Sequence, residues 1–242
     1  MAVVLLYHAV AEVVVDELLQ VRESTIDRHL GWCREIGFEI VSLADALAFS
    51  AEKLAAVTFD DGLASIEGTI AGLVDRGVVP TVFLCPGMIG GVNRWASPGR
   101  ACEPLLDVVA VRRLQGLGVN FGGHGWDHRA FEGRTREDMA ADLSACRDWF
   151  RSALDYGPEH FSWPFGRFDA AAVEVVGREF CNALAVDPAW GEEVSPLAIP
   201  RVVAVEGMDF ASFADSMELS DFVLDNGTRS PGQSTWSAGC AI

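Results

Sequence analysis

Two adjacent carboxylates and two imidazoles four positions apart are the residues of this chain best suited to chemistry. They are Asp60 and Asp61 in Thr58-Phe-Asp-Asp-Gly62, and His124 and His128 in His124-Gly-Trp-Asp-His128. One carboxylate with two imidazoles can hold a hydrolytic metal ion and leave coordination positions open, while a second carboxylate stays free as a base. Asp-Asp-Gly by itself reads as an exposed turn. The histidine pair alters that reading, because an i, i+4 spacing on a helical turn puts both rings on one side, within reach of one ion. Either aspartate could be the ligand at this stage, with the other left for protons.

Both half-sites follow strand-like segments. Leu54-Ala-Ala-Val-Thr-Phe59 is an apolar run leading into the acidic pair, with Gly62 permitting a sharp turn, and Val119-Asn-Phe-Gly-Gly123 leads into His124. Ligands of α/β folds sit at the carboxyl ends of strands, so both motifs are expected on the same rim. Further strand-like runs recur at Val3–Leu6, Phe38–Val41, Thr81–Leu84, Phe161–Trp163, Ala183–Val186 and Val202–Val205. Helical periodicity separates most of them, at Ile26–Ile36, Ser65–Arg76, Glu103–Leu117, Arg136–Ala153 and Ala170–Phe180. Ser24 or Thr25, Thr135 and Asp169 are the expected helix caps. Strands alternating with helices predict an α/β fold with a parallel sheet, closed into a barrel of about seven strands.

A chain of 242 residues, half of them hydrophobic, has enough apolar material for one large core. A single domain over 1–224 is expected, with the Asn-, Gly-, Ser- and Thr-rich stretch 225–242 as a flexible tail. The net charge of -17 argues against nucleic acid or an anionic membrane surface as partner. Met1–Tyr7 is apolar but short and has no basic leader, and no stretch is long enough to span a bilayer, so a cytoplasmic protein is expected. Six cysteines without a Cys-x-x-Cys pair read as buried or incidental thiols. Phosphate-binding loops, nucleophile elbows and dinucleotide fingerprints are absent, so nucleotide hydrolysis, serine-hydrolase chemistry and hydride transfer have no site.

Thr58-Phe-Asp-Asp-Gly62 and His124-Gly-Trp-Asp-His128 resemble the first and second motifs of the polysaccharide deacetylases of the NodB-homology type, carbohydrate esterase family 4, and Pro80-Thr-Val-Phe-Leu84 resembles the strand between them. The likeness runs over about positions 1–205. It implies a distorted (β/α) barrel, a metal held by Asp61, His124 and His128, and Asp60 as catalytic base. Ser162-Trp-Pro-Phe-Gly166 occupies the place of the third motif, with Ser162 where the family has an arginine that orients the base. Arg201 is the candidate to replace it. The Leu-x-His motif that supplies the general acid is missing from the C-terminal region, but Leu6-Tyr-His8 matches it, so a permuted member would take its acid from His8. Asp187-Pro-Ala-Trp190 only echoes the fourth motif, and Trp126, Trp163 and Trp190 suit either a sugar-binding wall or core packing.

The implied reaction is removal of an acetyl group from an N-acetylated amino sugar, in an oligo- or polysaccharide or a small glycoside. Asp60 would take a proton from water, the main-chain N–H of Phe165 would help to stabilise the oxyanion, and His8 would protonate the leaving amine. One divalent ion is expected, zinc first, with cobalt, nickel, manganese or iron also accepted by such a donor set. The alternatives are a cytoplasmic amidase of the same superfamily acting on a small non-sugar amide, and a non-catalytic carbohydrate-binding relic. Oligomeric state is left open.

Overall fold

The apolar runs form strands whose alternation sorts their side chains into two layers. The structure, a computed structural model, describes residues 2–48, 53–96, 102–186 and 195–219. Its strands are β1 (Ala2–Tyr7), β2 (Ala9–Val10), β3 (Gln20–Val21), β4 (Glu39–Val41), β5 (Leu54–Phe59), β6 (Thr81–Leu84), β7 (Asn120–Gly123), β8 (His160–Ser162), β9 (Asn182–Leu184) and β10 (Val202–Val203). Its helices are α1 (Glu23–Glu35), α2 (Leu43–Ala48), α3 (Glu67–Asp75), α4 (Val108–Gly116), α5 (Arg136–Leu154), α6 (Ala170–Val176) and α7 (Phe210–Leu219).

The main sheet is parallel throughout, in the order β10-β1-β5-β6-β7-β8-β9, with β4 beside the first half of β5. The segment leading into β10 bonds to the far edge: Ile199 N donates to Ala183 O and Ala185 N to Ile199 O, at 3.0 and 2.8 Å. Chain that touches β9 at Ile199 and β1 at Val202 brings the two edges of the curled sheet together, giving the expected (β/α) barrel.

Successive strand residues point to opposite faces. Val3, Leu5, Tyr7, Ala55, Val57 and Phe59 face an outer apolar layer shared with α1, α3, α4, α5 and α7. Ala2, Val4, Leu54, Ala56, Phe83, Leu184 and Ile199 pack with Leu43, Ala46 and Leu47 of α2, which fill the amino-terminal end of the barrel. Thr58 and then Asp60 continue that inward row towards the carboxyl end.

Local signals behaved unevenly. Thr135 and Asp169 cap α5 and α6, accepting from the N–H groups of Asp138 and Ala172. Ser24 and Thr25 do not cap α1; its N-cap is Arg22 and both lie inside the first turn. The helix expected from Glu103 starts at Val108, because Pro104 and Leu105 form β-bridges to Val92 and Leu63 and extend one wall of the site. Cys33, Cys85 and Cys146 are buried free thiols and Cys102 is an exposed one, whereas Cys181 is disulfide-bonded, against the expectation of thiols only. The stretches 187–190 and 225–242 lie outside the described residues.

Candidate active site

Register places the chemistry. β1 and β5 pair in step from Ala2↔Leu54 to Tyr7↔Phe59, and Asp60 N donates to Tyr7 O at 3.0 Å, so His8 and Asp60 leave the sheet side by side. β6 and β7 pair to Leu84↔Gly123, and His124 N donates to Leu84 O at 2.9 Å, so His124 leaves at the same rim. Asp60 keeps the inward direction of its strand. Asp61, at φ 69°, and Gly62, also at 69°, then turn the chain sharply, and a Cβ on Gly62 would come within 2.6 Å of Leu84 Cδ2.

The expected helical turn over His124–His128 does not form. The segment is a loop, in which Gly125 and His128 adopt φ 73° and 59° and bring the second imidazole back beside the first. Asp142 on α5 holds this loop by accepting from Trp126 N–H at 2.7 Å, and Arg134 binds its other oxygen at 3.1 Å. Trp126 O accepts from Gly87 N–H at 2.8 Å, and a Cβ on Gly87 would strike the Trp126 ring. Four non-glycine residues among those described have positive φ, and three of them, Asp61, His128 and Phe165, line the same cavity. Backbone in this region is strained, and such strain concentrates where function requires a side chain to be aimed.

Asp61 Oδ1 lies 3.3 Å from His124 Nε2 and 3.1 Å from His128 Nε2, and the ligand atoms of the three residues fall within 4.8 Å of one another. Oδ1 is buried with no hydrogen-bond donor, while Oδ2 accepts from Trp95 Nε1 at 2.9 Å. His124 Nδ1 is 2.7 Å from Ser162 O. A carbonyl can only accept, so Nδ1 carries the proton and the Nε2 lone pair faces Asp61. A buried carboxylate oxygen without a donor, facing an imidazole lone pair, is a donor set that fits a divalent cation.

The three groups are also electrostatically coupled. Burial raises the Asp61 pKa, but the two imidazoles outweigh it and hold the carboxyl well below its usual range. His128 is shifted down by burial and the neighbouring His124, opposed by Asp61. His124 is shifted up, because Asp60 and Asp61 outweigh its burial. Trp95 stacks on His128 at 4.1 Å and Phe165 packs edge-on against the same ring at 4.4 Å. Sequence reasoning missed Trp95, which sits in a glycine-rich loop without periodicity; a lone indole in such a loop was the available cue.

Asp60 is held by different partners. Arg201 Nη1 donates to Oδ1 at 2.8 Å and Nη2 to Oδ2 at 2.7 Å, a bidentate pair with Arg201 as a whole 1% exposed. Nη2 also donates to Ser162 Oγ, which in turn donates to Asp60 Oδ2, both at 2.8 Å. Arg201, the candidate the sequence offered to orient Asp60, thus pairs with it, and Ser162 links the two groups. Burial would raise the Asp60 pKa, but the charges of Arg201 and His124 and the Arg201 hydrogen bonds bring it to about 2. His8, Asp60, Asp61, His124, His128, Trp163 and Phe165 all line one cavity of about 810 Å³. Trp163 is also tied into the core, donating to Leu197 O at 2.9 Å, and Cys85 is buried against His124 O as a core thiol.

The family model for polysaccharide deacetylase matches residues 50–178, more than half of the chain. The chain belongs to the polysaccharide deacetylase family. The matched span contains Asp60, Asp61, His124, His128 and Phe165, whereas His8, placed by the pairing of β1 with β5, and Arg201, placed by the segment that joins β9 to β1, fall outside it. The fold is similar to that of the Streptococcus pyogenes deacetylase PplD in complex with acetate, at 18% identity and TM-score 0.71 over 89% of this chain and 97% of that one. IcaB from Ammonifex degensii is similar at 19% identity and TM-score 0.71, over 91% and 97%. A de-N-acetylase from Aggregatibacter actinomycetemcomitans is similar at 15% identity and TM-score 0.73, over 89% and 99%. No curated protein sequence matches the chain.

Proposed function

We propose that this protein is a metal-dependent hydrolase that removes the N-acetyl group from an N-acetylated amino sugar. The observation that carries the reading is one cavity holding two separately wired carboxylates, Asp61 turned to two imidazoles and Asp60 locked to Arg201. Asp61, His124 and His128 would hold the ion. A divalent cation, zinc first among those that suit these donors, supplies when bound a Lewis acid and a water of lowered pKa.

Asp60 receives the proton of the attacking water. A carboxyl titrating near 2 is a weak base, so what Arg201 and Ser162 secure is an ionised, fixed acceptor at every working pH. Phe165 lines the cavity at φ 59° in the third-motif turn, and its main-chain N–H would be the donor to the oxyanion that forms on the amide oxygen. His8, beside Asp60 in the strand register, hands a proton to the departing amine. Trp95 and Phe165 clamp His128 from two sides and limit its rotation.

Metal content and acetate release from N-acetylglucosamine oligomers and from monomeric N-acetyl amino sugars test the reading. Asp61→Asn, His124→Ala and His128→Ala should lose metal and turnover together, whereas Asp60→Asn should keep metal and lose turnover. Near-normal turnover by Asp60→Asn would rule the assignment out.

A further inference from the structure

The loop between β2 and β3 displays large apolar side chains that the barrel does not use. Val13 and Val15 are each 76% exposed, Leu18 is 72% and Leu19 40%. Isolated exposed apolar residues are ordinary, but four within seven positions form a patch that calls for an occupant. The loop is well tied. Ala9 N–H donates to Leu19 O at 2.9 Å, Ala11 N–H to Val21 O at 3.0 Å and Gln20 N–H to Asp16 O at 2.7 Å. Gln20 Oε1 accepts from the N–H groups of Val15 and Asp16, and its Nε2 donates to Glu103 Oε1 at 3.0 Å, which pins the loop to the wall opposite. The apolar groups are therefore presented on a preformed surface.

Val15 and Leu19 line the same cavity as Asp60, Asp61, His124 and His128, as does Phe165, itself 53% exposed. The patch is thus continuous with the mouth of the catalytic cavity. A sugar hydroxyl placed against Val15 and Leu19 would lose water without gaining a hydrogen bond from them, and the polar neighbours Gln20, Asn93 and Glu103 in the same lining already bond to one another or to main-chain N–H groups. An alkyl or aryl group attached to the sugar would remove apolar surface from water on both sides. We infer that the substrate is an N-acetylated amino sugar bearing an apolar aglycone, which lies against Val15, Leu19 and the rest of this loop while the acetamido group reaches the Asp61–His124–His128 end.

This inference rests on the deacetylase reading of the site, and the test separates the two. Acetate release is compared for methyl and octyl glycosides of N-acetylglucosamine, the latter below its micellar concentration, on metal-loaded protein and on Val15→Ser/Leu19→Ser. The octyl glycoside should be preferred by at least about tenfold in kcat/KM, equivalent to burying about two methylene groups. In the double variant the octyl-to-methyl ratio should fall to within about twofold of one, with an unchanged circular-dichroism spectrum. A wild-type ratio near one, or a ratio that survives the substitutions, overturns the inference while leaving the deacetylase reading standing. If neither glycoside releases acetate, the deacetylase reading fails, and calorimetric affinities for the two glycosides decide the apolar preference by the same ratio. Two further results would also overturn the inference: co-sedimentation with neutral phosphatidylcholine vesicles, or dimerisation, in either case abolished by Val13→Ser/Leu18→Ser.

Discussion

Replacing Arg201 with methionine should convert the bidentate ion pair of the site into a buried carboxylate without its guanidinium. Asp60 is 2% exposed and titrates near 2 in place of 3.8, a net shift worth roughly 2 kcal/mol at neutral pH after its burial penalty has been overcome. The folded pKa is depressed, so this stabilisation is fully present above about pH 4 and disappears as pH falls towards 2. Without the guanidinium only the weaker contributions of His124 and the Ser162 hydroxyl oppose the penalty, and Arg201→Met should lower stability at pH 7 by about 3–5 kcal/mol. Arg201→Lys keeps a charge but cannot make the bidentate contact and reach Ser162 together, so it should fall between the two. Urea unfolding of Arg201→Met, Asp60→Asn and the double variant gives the coupling energy directly, expected at about 2 kcal/mol or more. The acid limb of kcat/KM on metal-loaded Arg201→Met should also move up by at least about one pH unit, because Asp60 then protonates more readily. A coupling below about 0.5 kcal/mol, the range of a solvent-exposed pair, would refute the assignment of Arg201 as the group that orients Asp60.

Other residues give independent checks. Asp142→Ala leaves Trp126 N–H and Arg134 without their acceptor and should weaken metal affinity by about tenfold or more in chelator competition, while Asp142→Asn, which can still accept from Trp126, should lose less; equal affinities for wild type and Asp142→Ala would contradict the role of α5 in aiming the loop. His8→Ala should cut kcat by about a hundredfold, and a loss below about threefold would remove His8 as the acid. His29, fully buried with its Nδ1 3.1 Å from Tyr7 Oη, titrates at about 4 in place of 6.5, through burial first and then the charge of Arg28. Its neutral form is thus required for folding, so stability present above about pH 6.5 should decline by roughly 3 kcal/mol as pH drops to 4; His29→Phe should flatten that slope in denaturation across the range, and an unaltered slope would assign it to other groups.

Much of this was legible in the linear chain. Apolar runs such as Leu54–Phe59 and Thr81–Leu84 coincide with β5 and β6 as observed, because strands buried on both faces need continuous hydrophobic sequence. Short or weakly apolar elements escaped: α2 has six residues and too few turns to show a period, and β2 and β3 have two residues each. The residue types of the donor set by themselves pointed to the chemistry, since one carboxylate and two imidazoles suit a divalent ion whatever carries them. What sequence could not decide was direction. A loop with two left-handed residues, and not a helical turn, brings His128 to His124, and such a path depends on Asp142 and Gly87 from other parts of the chain. Likewise, the pairing of Arg201 with Asp60 spans 141 positions. It exists because closing the barrel sets the strand after Ile199 beside β1, and a contact made by ring closure leaves no periodic or local trace, so Arg201 could be named as a candidate only through the family resemblance.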